Sequence, residues 1–345
     1  MGLYDENGYY NREHILSKGA WLNVFLGARQ VGKTYMALRT MLENNFYHIL
    51  LRRTADELDT IITSPDLDPY LDHEPEYHVG LFRQGSKMCR IADYEINEDG
   101  KPTIIRNRGI ATSLPEVGKI RGFNGSKFTD LVYDEFIPEK GVIRRKAEGD
   151  MFANAYTTFN GNRELKGLPP LRVWLLANTN DINSPILEIL NLTDDVLKMR
   201  RKGQEELLTD NGVYIVQSDS DEILDKRKQT AFMKQVDKKS DFYGMAIKNE
   251  FSYDDSPYIK QLSVKFMKPA WSYDNFLYCW ENADGYYICR ASFRAEKRYQ
   301  YDNSSVSKQK LALDWGFMKV YYFGDLISFS DLRLLATFKN IFDIK

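Results

Sequence analysis

The sequence predicts an α/β protein in which a domain with a mostly parallel sheet precedes a small α+β domain. Short apolar runs at residues 21–26, 128–133 and 171–177 alternate with segments of helical periodicity, as in strand–helix–strand units. Each run ends in glycine, acidic or amide residues, which is typical of the sheet edge where ligands bind. Residues 241–345 differ, because aromatic-rich alternating runs there are separated by turn residues.

Composition excludes several classes of protein. The chain has 345 residues, a formal net charge of −2 and three cysteines, and no two cysteines form a C-x-x-C pair. No apolar run approaches the roughly 20 residues of a membrane span, and residues 1–13 are too polar for a signal peptide. We therefore expect a soluble intracellular protein with reduced thiols, whose nucleic-acid contacts, if any, come from local basic clusters.

The first apolar run leads into Gly27-Ala28-Arg29-Gln30-Val31-Gly32-Lys33-Thr34, which fits the pattern G-x-x-x-x-G-K-[ST]. A helical pattern follows at 34–42, so the motif has the strand–loop–helix context that it needs. Backbone N–H groups and the helix N-terminus would face a triphosphate. Lys33 would contact its β- and γ-phosphates, and the Thr34 hydroxyl would hold Mg²⁺. The alternative is a glycine-rich turn with an incidental lysine.

Two acids, Asp134 and Glu135, follow the apolar run 128–133. An acid at the end of a buried strand can hold the Mg²⁺ that Thr34 also contacts, and the next acid can polarise the attacking water. A lone Asp-Glu pair is a weak signal, but downstream of a phosphate loop it indicates hydrolysis. We predict Asp134 as the metal-side acid and Glu135 as the catalytic acid.

Two further candidates lie around the run 171–177. Asn178, at its end, is placed to sense the γ-phosphate or to position the water; the alternative is a simple strand-end turn. Arg163, on the preceding loop, is a candidate arginine finger that would act on the site of a neighbouring subunit. An exposed loop arginine is usually only solvated, so this role needs further support.

Arg52 and Arg53 follow a second short strand at 48–51. Their position at the end of a parallel strand favours phosphate or DNA contact. Pairing with nearby acids is an equally good interpretation, and the candidates are Asp56, Glu57 and Asp59.

The remaining segments define the domain organisation. Residues 88–96 and 102–114 flank Asn97-Glu98-Asp99-Gly100-Lys101 and predict a β-hairpin inserted on the sheet. A charged helix is expected at 221–236. We divide the chain into a nucleotide-binding domain, a helical linker and a C-terminal domain, at residues 1–200, 201–240 and 241–345.

Within the C-terminal domain we expect a hairpin at 276–290, strands at 310–313 and 320–323, and a helix at 331–342. Its acids could in principle form a two-metal nuclease site; they are Asp254, Asp255, Asp274, Asp284 and Asp314. Nothing in their spacing requires such a site, and hairpin-turn acids are mostly solvated.

With these motifs in place, the chain resembles the DNA-packaging ATPases (encapsidation proteins) of small, short-tailed bacteriophages that replicate by protein priming. The resemblance covers residues 20–180, and beyond them only size and layout agree. It rests on Gly27-Ala28-Arg29-x-x-Gly32-Lys33-Thr34-Tyr35, Leu51-Arg52-Arg53, Val132-Tyr133-Asp134-Glu135-Phe136-Ile137-x-Glu139-Lys140 and Leu176-Ala177-Asn178.

The resemblance implies an ATPase domain of the additional-strand, conserved-glutamate (ASCE) type, with ATP and Mg²⁺ as cofactors. It implies a C-terminal domain like the RNase H-like terminase nuclease, stripped of its catalytic acids. It implies a ring, expected to be pentameric, that docks at the portal of a procapsid in the host cytoplasm and drives double-stranded DNA inward. In the best-known members a packaging RNA scaffolds the ring.

The resemblance also implies roles for three arginines. Arg29 matches the family's loop arginine, and Arg163 falls near its trans-acting arginine. Arg121 matches a second basic residue that the family presents across the subunit interface.

Two other functions stay open beside an ATP-driven packaging motor. One is a terminase-type ATPase with an active C-terminal nuclease, and the other is a nucleotide-dependent assembly adaptor with negligible turnover. Glu135 favours hydrolysis over a switch, because a switch has little use for a water-activating acid.

Overall fold

The computed structural model describes residues 2–28, 31–85, 88–119, 125–138, 147–178, 184–217, 220–247 and 258–344. The chain forms two compact units, Met1–Leu190 with Asp195–Ser252, and Asn191–Asp194 with Tyr253–Lys345. No helix among the described residues is long and apolar enough to cross a membrane.

The first unit is built on a nine-stranded sheet with the order β3-β4-β5-β2-β6-β7-β1-β9-β8. Its strands are β1 Leu22–Gly27, β2 His48–Arg52, β3 Val79–Gln84, β4 Met88–Ile96, β5 Pro102–Ser113, β6 Asp130–Asp134, β7 Arg172–Asn178, β8 Glu206–Leu208 and β9 Val213–Val216. The six strands from β5 to β9 in this order run parallel, and antiparallel strands complete both edges. The mostly parallel sheet that the sequence predicts is confirmed.

Burial explains why the central strands appear in the sequence as continuous apolar runs. Every residue of β1 and of β6 is buried, because parallel strands in the middle of a sheet are covered on both faces. The strand β7 lies between β1 and β6, with Asn178 beside Gly27 and Leu176 beside Asp134. The predicted site residues at the ends of these three strands therefore meet at one edge of the sheet.

The helices of the first unit precede, connect and follow its strands. They are α1 Arg12–Ser17, α2 Lys33–Glu43, α3 Ala55–Thr63, α4 Leu114–Val117, α5 Glu148–Asn160, α6 Pro185–Ile189, α7 Thr193–Lys202, α8 Asp221–Lys228, α9 Ala231–Gln235 and α10 Asp241–Ile247. The N-terminus of α3 is fixed by a reciprocal capping box between Thr54 and Glu57.

The segment 201–240, expected to be a helical linker, contains more than helices. Its first part forms β8 and β9, and β9 pairs in parallel with β1. All four residues of β9 are buried, so this apolar run extends the main sheet. The charged helix expected at 221–236 is divided into α8 and α9, because Thr230 caps a new helix by accepting a hydrogen bond from Met233.

The second unit contains a five-stranded sheet with the order β13-β10-β11-β12-β14. Its elements are β10 Lys268–Tyr273, β11 Leu277–Asn282, β12 Gly285–Cys289, β13 Gln300–Tyr301, β14 Ile327–Phe329, α11 Ser305–Asp314, α12 Met318–Phe323 and α13 Leu332–Ile341. The hairpin β11–β12 and the helix α13 lie where the sequence predicts them.

The strands expected at 310–313 and 320–323 are wrong, because both segments are helical. Ser304 caps α11 by accepting a hydrogen bond from the backbone of Ser307. In α12, Met318 and Tyr322 are buried four residues apart, while Val320 between them is 73% exposed. That spacing follows a helix, and short apolar runs alone do not distinguish it from a strand.

Candidate active site

The phosphate loop leaves the buried strand β1 at Gly27 and enters α2 at Lys33. Gly32 has φ of 84°, in the left-handed region that favours glycine, and it makes no side-chain cap on the helix. The first N–H groups of α2 thus carry no side-chain cap, an arrangement suited to an anion. Arg29 and Gln30 lie outside the described residues.

Lys33 is buried and its ammonium group is turned onto the loop. The Nζ atom donates hydrogen bonds to the carbonyl oxygens of Ala28 at 2.6 Å and Gly27 at 3.3 Å, and to Oδ1 of Asn178 at 3.2 Å. The side chain at the tip of β7 therefore contacts the lysine of the loop on β1. This contact joins two of the residues that the sequence singles out.

Thr34 and Asp134 form the side of the site suited to a metal. The Thr34 hydroxyl donates to Oδ1 of Asp134 at 3.1 Å. Hydroxyl and carboxylate oxygens are the hard donors that Mg²⁺ prefers, so this pair fits that ion chemically. The pKa of Asp134 is raised above its ordinary value. Burial is the largest cause; the positive charge of Arg52 lowers the pKa, and the neighbouring carboxylate of Glu135 raises it.

Glu135 has an unusual backbone conformation for a residue with a side chain. Its φ is 55°, and its N–H donates to Oδ1 of Asp134 at 3.0 Å. A non-glycine residue in the left-handed region is strained by about 1–3 kcal/mol, and such strain concentrates at functional sites. The turn leaves the side chain 47% exposed, where water can reach it.

Arg52, at the end of β2, binds both acids. Its two terminal nitrogens lie 2.9 Å from Oδ2 of Asp134 and 3.0 Å from Oε2 of Glu135. The acids that pair with Arg52 are therefore Asp134 and Glu135 and not the local acids named from the sequence, while phosphate or DNA contact stays a prediction. The strand order explains this result, since β2 is the neighbour of β6 and both strands end at the same edge.

The next residue, Arg53, turns away from the site. Its guanidinium lies 2.8 Å from Glu148 at the start of α5, and both side chains are only 2% exposed. Its backbone N–H donates to Glu57. Through this backbone contact Arg53 meets Glu57, one of the acids named from the sequence.

Comparison with known proteins gives structural matches alone, because no protein-family model matches the sequence and no curated protein sequence does so either. The Phi-28 gp11 DNA packaging motor is similar with a TM-score of 0.62 and 17% identity, over 99% of each chain. The bacteriophage Phi-29 viral genome packaging motor assembly is similar with a TM-score of 0.63 and 20% identity, over 97% of this chain and 99% of that chain. The chain has the fold of phage DNA-packaging motors.

In this packaging-motor fold, five of the residues predicted from the sequence come together at one sheet edge. They are Lys33, Thr34, Asp134, Glu135 and Asn178. Arg121, predicted to face a neighbouring subunit, lies outside the described residues together with Arg29. The roles of these two arginines therefore stay predictions.

Arg163 is placed differently from the exposed loop residue that the sequence suggests. It is 7% exposed. Its guanidinium donates to the carbonyl oxygens of Pro169 at 2.9 Å, Ser126 at 2.9 Å and Phe128 at 2.7 Å. The side chain thus holds the loop before β7 against the segment that leads into β6. This geometry supports a role within its own chain and gives no support to a trans-acting finger.

The acids of the second unit are dispersed. Asp274 and Asp284 are exposed in turns, and Asp314 accepts a hydrogen bond from the Tyr301 hydroxyl at 2.8 Å. Among the described residues, no group of three or more His, Cys, Asp or Glu side chains could hold a metal ion. Asp254 and Asp255 lie outside those residues.

Proposed function

We propose that the chain is an ATP-driven motor that moves double-stranded viral DNA into a procapsid through its portal. One observation carries the proposal. A continuous set of polar contacts runs from Thr34 on the phosphate loop to Asp134, from there to Arg52 and on to Glu135. A nucleotide at the loop would therefore be coupled, through Asp134 and Arg52, to Glu135, the acid that we propose activates water. The packaging-motor fold supplies the context for that hydrolysis.

ATP fits the loop by the chemistry of its donors. The open N-terminus of α2 and the ammonium group of Lys33 would hold the phosphates, and Asn178 would keep the lysine at the edge of the sheet. To reach the phosphates, Lys33 must exchange its bonds to the loop carbonyls for bonds to the nucleotide. The positive charge of Lys33 would then be balanced by phosphate oxygens, where the carbonyl groups of Gly27 and Ala28 now balance it.

Thr34 and Asp134 would hold Mg²⁺, which supplies charge neutralisation on the triphosphate when bound. Glu135 would orient and polarise the attacking water, and the solvent exposure of its carboxylate supports this role. Because Arg52 binds Glu135 as well as Asp134, the acid is held in a defined orientation before water is activated.

The assembly around this site is also part of the proposal. We expect a homo-oligomeric ring, pentameric, docked at the portal vertex in the host cytoplasm, with Arg121 acting across the interface and a packaging RNA as scaffold. The second unit then serves as an inactive nuclease-like module, which the scattered acids support. DNA contacts should be mainly to phosphates and hence dependent on salt.

The test is DNA packaging with purified components. Linear double-stranded DNA, portal-bearing procapsids and the full chain are mixed with Mg²⁺ and either ATP or a non-hydrolysable analogue. We expect nuclease-protected DNA only with ATP, together with hydrolysis stimulated by DNA.

Two other results would overturn the proposal. Metal-dependent cutting of the DNA, lost when Asp274 and Asp284 are changed to Asn, would indicate an active terminase-type nuclease. Protected DNA that accumulates equally with the analogue would indicate an assembly adaptor without turnover.

A further inference from the structure

The hairpin formed by β4 and β5 projects beyond the sheet. Residues 109–113 of β5 pair with β2, whereas residues 102–104 pair with β4 alone. We call residues 95–105 the β-arm. Every residue of the β-arm is exposed. A two-stranded ribbon is only marginally stable by itself in water, so the exposed β-arm favours contact with a partner.

The β-arm carries three exposed isoleucines. Ile96, Ile104 and Ile105 are 60%, 36% and 57% exposed. Ile104 lies opposite Tyr94, and Ile96 lies two residues beyond Tyr94, so both isoleucines share one face of the ribbon. Ile105 is the extra residue of a β-bulge, since Asp93 pairs with Arg106 and Tyr94 with Ile104. Clustered apolar exposure of this kind marks interaction surfaces.

The charges of the β-arm indicate the character of its partner. The β-arm contains three carboxylates and one lysine; they are Glu95, Glu98, Asp99 and Lys101. Among the described residues, none of the three carboxylates lies within 4 Å of a basic group. The complementary surface should therefore have an apolar centre and a basic rim.

The chain itself carries such a surface on α9 and α10. The rings of Phe232 and Phe242 meet edge to face at 5.9 Å and are 65% and 37% exposed. Three exposed lysines lie on α9 and on the turn that joins it to α10; they are Lys234, Lys238 and Lys239, and none forms an ion pair within the described part of the chain. We call these five residues the Phe–Lys surface.

The sheet order separates the two surfaces. The β-arm is formed by β4 and β5, the second and third strands from one edge of the sheet. The helices α8 to α10 follow β9 in the chain, and β9 is the second strand from the opposite edge. Five strand spacings lie between β5 and β9, roughly 24 Å in total. Two complementary patches, one on a hairpin near one edge of the sheet and one on helices that follow a strand near the other edge, suit a head-to-tail contact, which closes into a ring when its rotation permits.

We propose that the β-arm of one copy of this chain docks on the Phe–Lys surface of a second copy. The isoleucines cover the two phenylalanine rings, and the carboxylates of the β-arm face the lysines. The interface rests on the proposed ring, but it concerns how subunits join and not the hydrolysis at Glu135.

The first test reverses charges and measures self-association of the full chain by sedimentation. The variants E98K/D99K and K238E/K239E should each weaken association at least about tenfold, and the chain with all four changes should regain affinity within about threefold. D284K, in an exposed hairpin turn of the second unit, is the matched control and should have no effect.

The second test uses disulfide cross-linking, which the buried native cysteines do not complicate. A mixture of I104C and F232C chains should form an intermolecular disulfide, whereas each variant alone should not, since the contact joins different surfaces. Leu208 is 46% exposed on β8, and I104C mixed with L208C is the control.

The outcomes separate the interface from the function. Single reversals without effect, or no rescue in the fourfold variant, would overturn the docking while leaving ATP hydrolysis and DNA packaging intact. A wild-type chain that stays monomeric at all concentrations would overturn this interface, while the ring proposed with a portal and a packaging RNA would stand. A wild-type chain that self-associates but does not hydrolyse ATP would count against the proposed function alone.

Discussion

The two sheets of this protein use acidic residues in opposite ways. At the end of β6, Asp134 is 7% exposed and contacts Thr34 and Arg52. In the second unit, Asp274 and Asp284 lie in exposed turns. A carboxylate buried at the end of a parallel strand needs partners, because removal from water disfavours its charge. An acid in a turn stays solvated, so it creates no comparable demand for a cation or a hydrogen-bond donor.

The same contrast holds for arginines. Arg53 and Glu148 form a buried pair beside the site, whereas Arg290 and Asp331 pair on the surface of the second unit. The comparison therefore predicts that charge substitutions near the carboxyl edge of the large sheet affect stability and activity, while those in the second unit have little effect.

The largest effect on stability is expected for Arg53→Ala. It removes the Arg53 guanidinium from the buried carboxylate of Glu148, and breaking a buried ion pair costs about 3–5 kcal/mol. Arg290→Ala is the matched control. The ion pair of Arg290 with Asp331 is partly exposed, so it should contribute at most about 1 kcal/mol to the free energy of unfolding. Urea unfolding of both variants measures the difference. Equal effects would remove the distinction between the two regions.

Arg163→Ala should destabilise the chain by about 2–4 kcal/mol, since three carbonyl oxygens lose a charged donor. If the side chain acts only within its own subunit, mixing Arg163→Ala with Glu135→Gln chains restores no ATPase activity. Restored activity in such mixed assemblies, with unchanged stability of Arg163→Ala, would establish a trans-acting role.

A smaller, pH-dependent effect is expected at Glu206 on β8. Partial burial raises its pKa, but hydrogen bonds from Tyr214, His14 and Lys18 outweigh this and lower the pKa from 4.5 to about 2. The folded state therefore binds fewer protons than the unfolded state. The stabilisation is complete above about pH 4.5 and is lost as the pH falls towards 2.

Glu206→Gln should remove this pH dependence and reduce stability near pH 7 by no more than about 1 kcal/mol, since the site is partly exposed. Unfolding measured at several pH values between 2 and 7 tests it. Glu281→Gln, at an exposed position of β11, should leave the pH profile unchanged. An unaltered profile in Glu206→Gln would show that the hydrogen bonds to this carboxylate do not contribute.

The sequence predicts the core of the site because its signals are local. The phosphate loop needs only eight consecutive residues between a strand and a helix, and Asp134 and Glu135 are adjacent. By contrast, Arg52 binds acids more than eighty residues away, so its partners depend on β2 lying beside β6.

The burial of Arg163 and the helices at 310–313 and 320–323 could not be predicted from the sequence, because both depend on tertiary structure. Arg163 is loop-like in sequence, yet it is enclosed by the carbonyl groups of Pro169 on its own loop and of Ser126 and Phe128 before β6. The runs 310–313 and 320–323 are too short to show a period. Their helices follow from capping by Ser304 and from burial of Met318 and Tyr322 on one face.

The central claim is that Glu135 activates water at a site that Lys33 and Thr34 prepare for ATP. It is tested most directly by measuring ATP binding and steady-state hydrolysis of Glu135→Gln beside wild type, with Glu281→Gln as control. We predict ATP affinity within about twofold of wild type and hydrolysis reduced at least about 10²-fold, the contribution typical of a general base. Hydrolysis at the wild-type rate in Glu135→Gln would contradict the account.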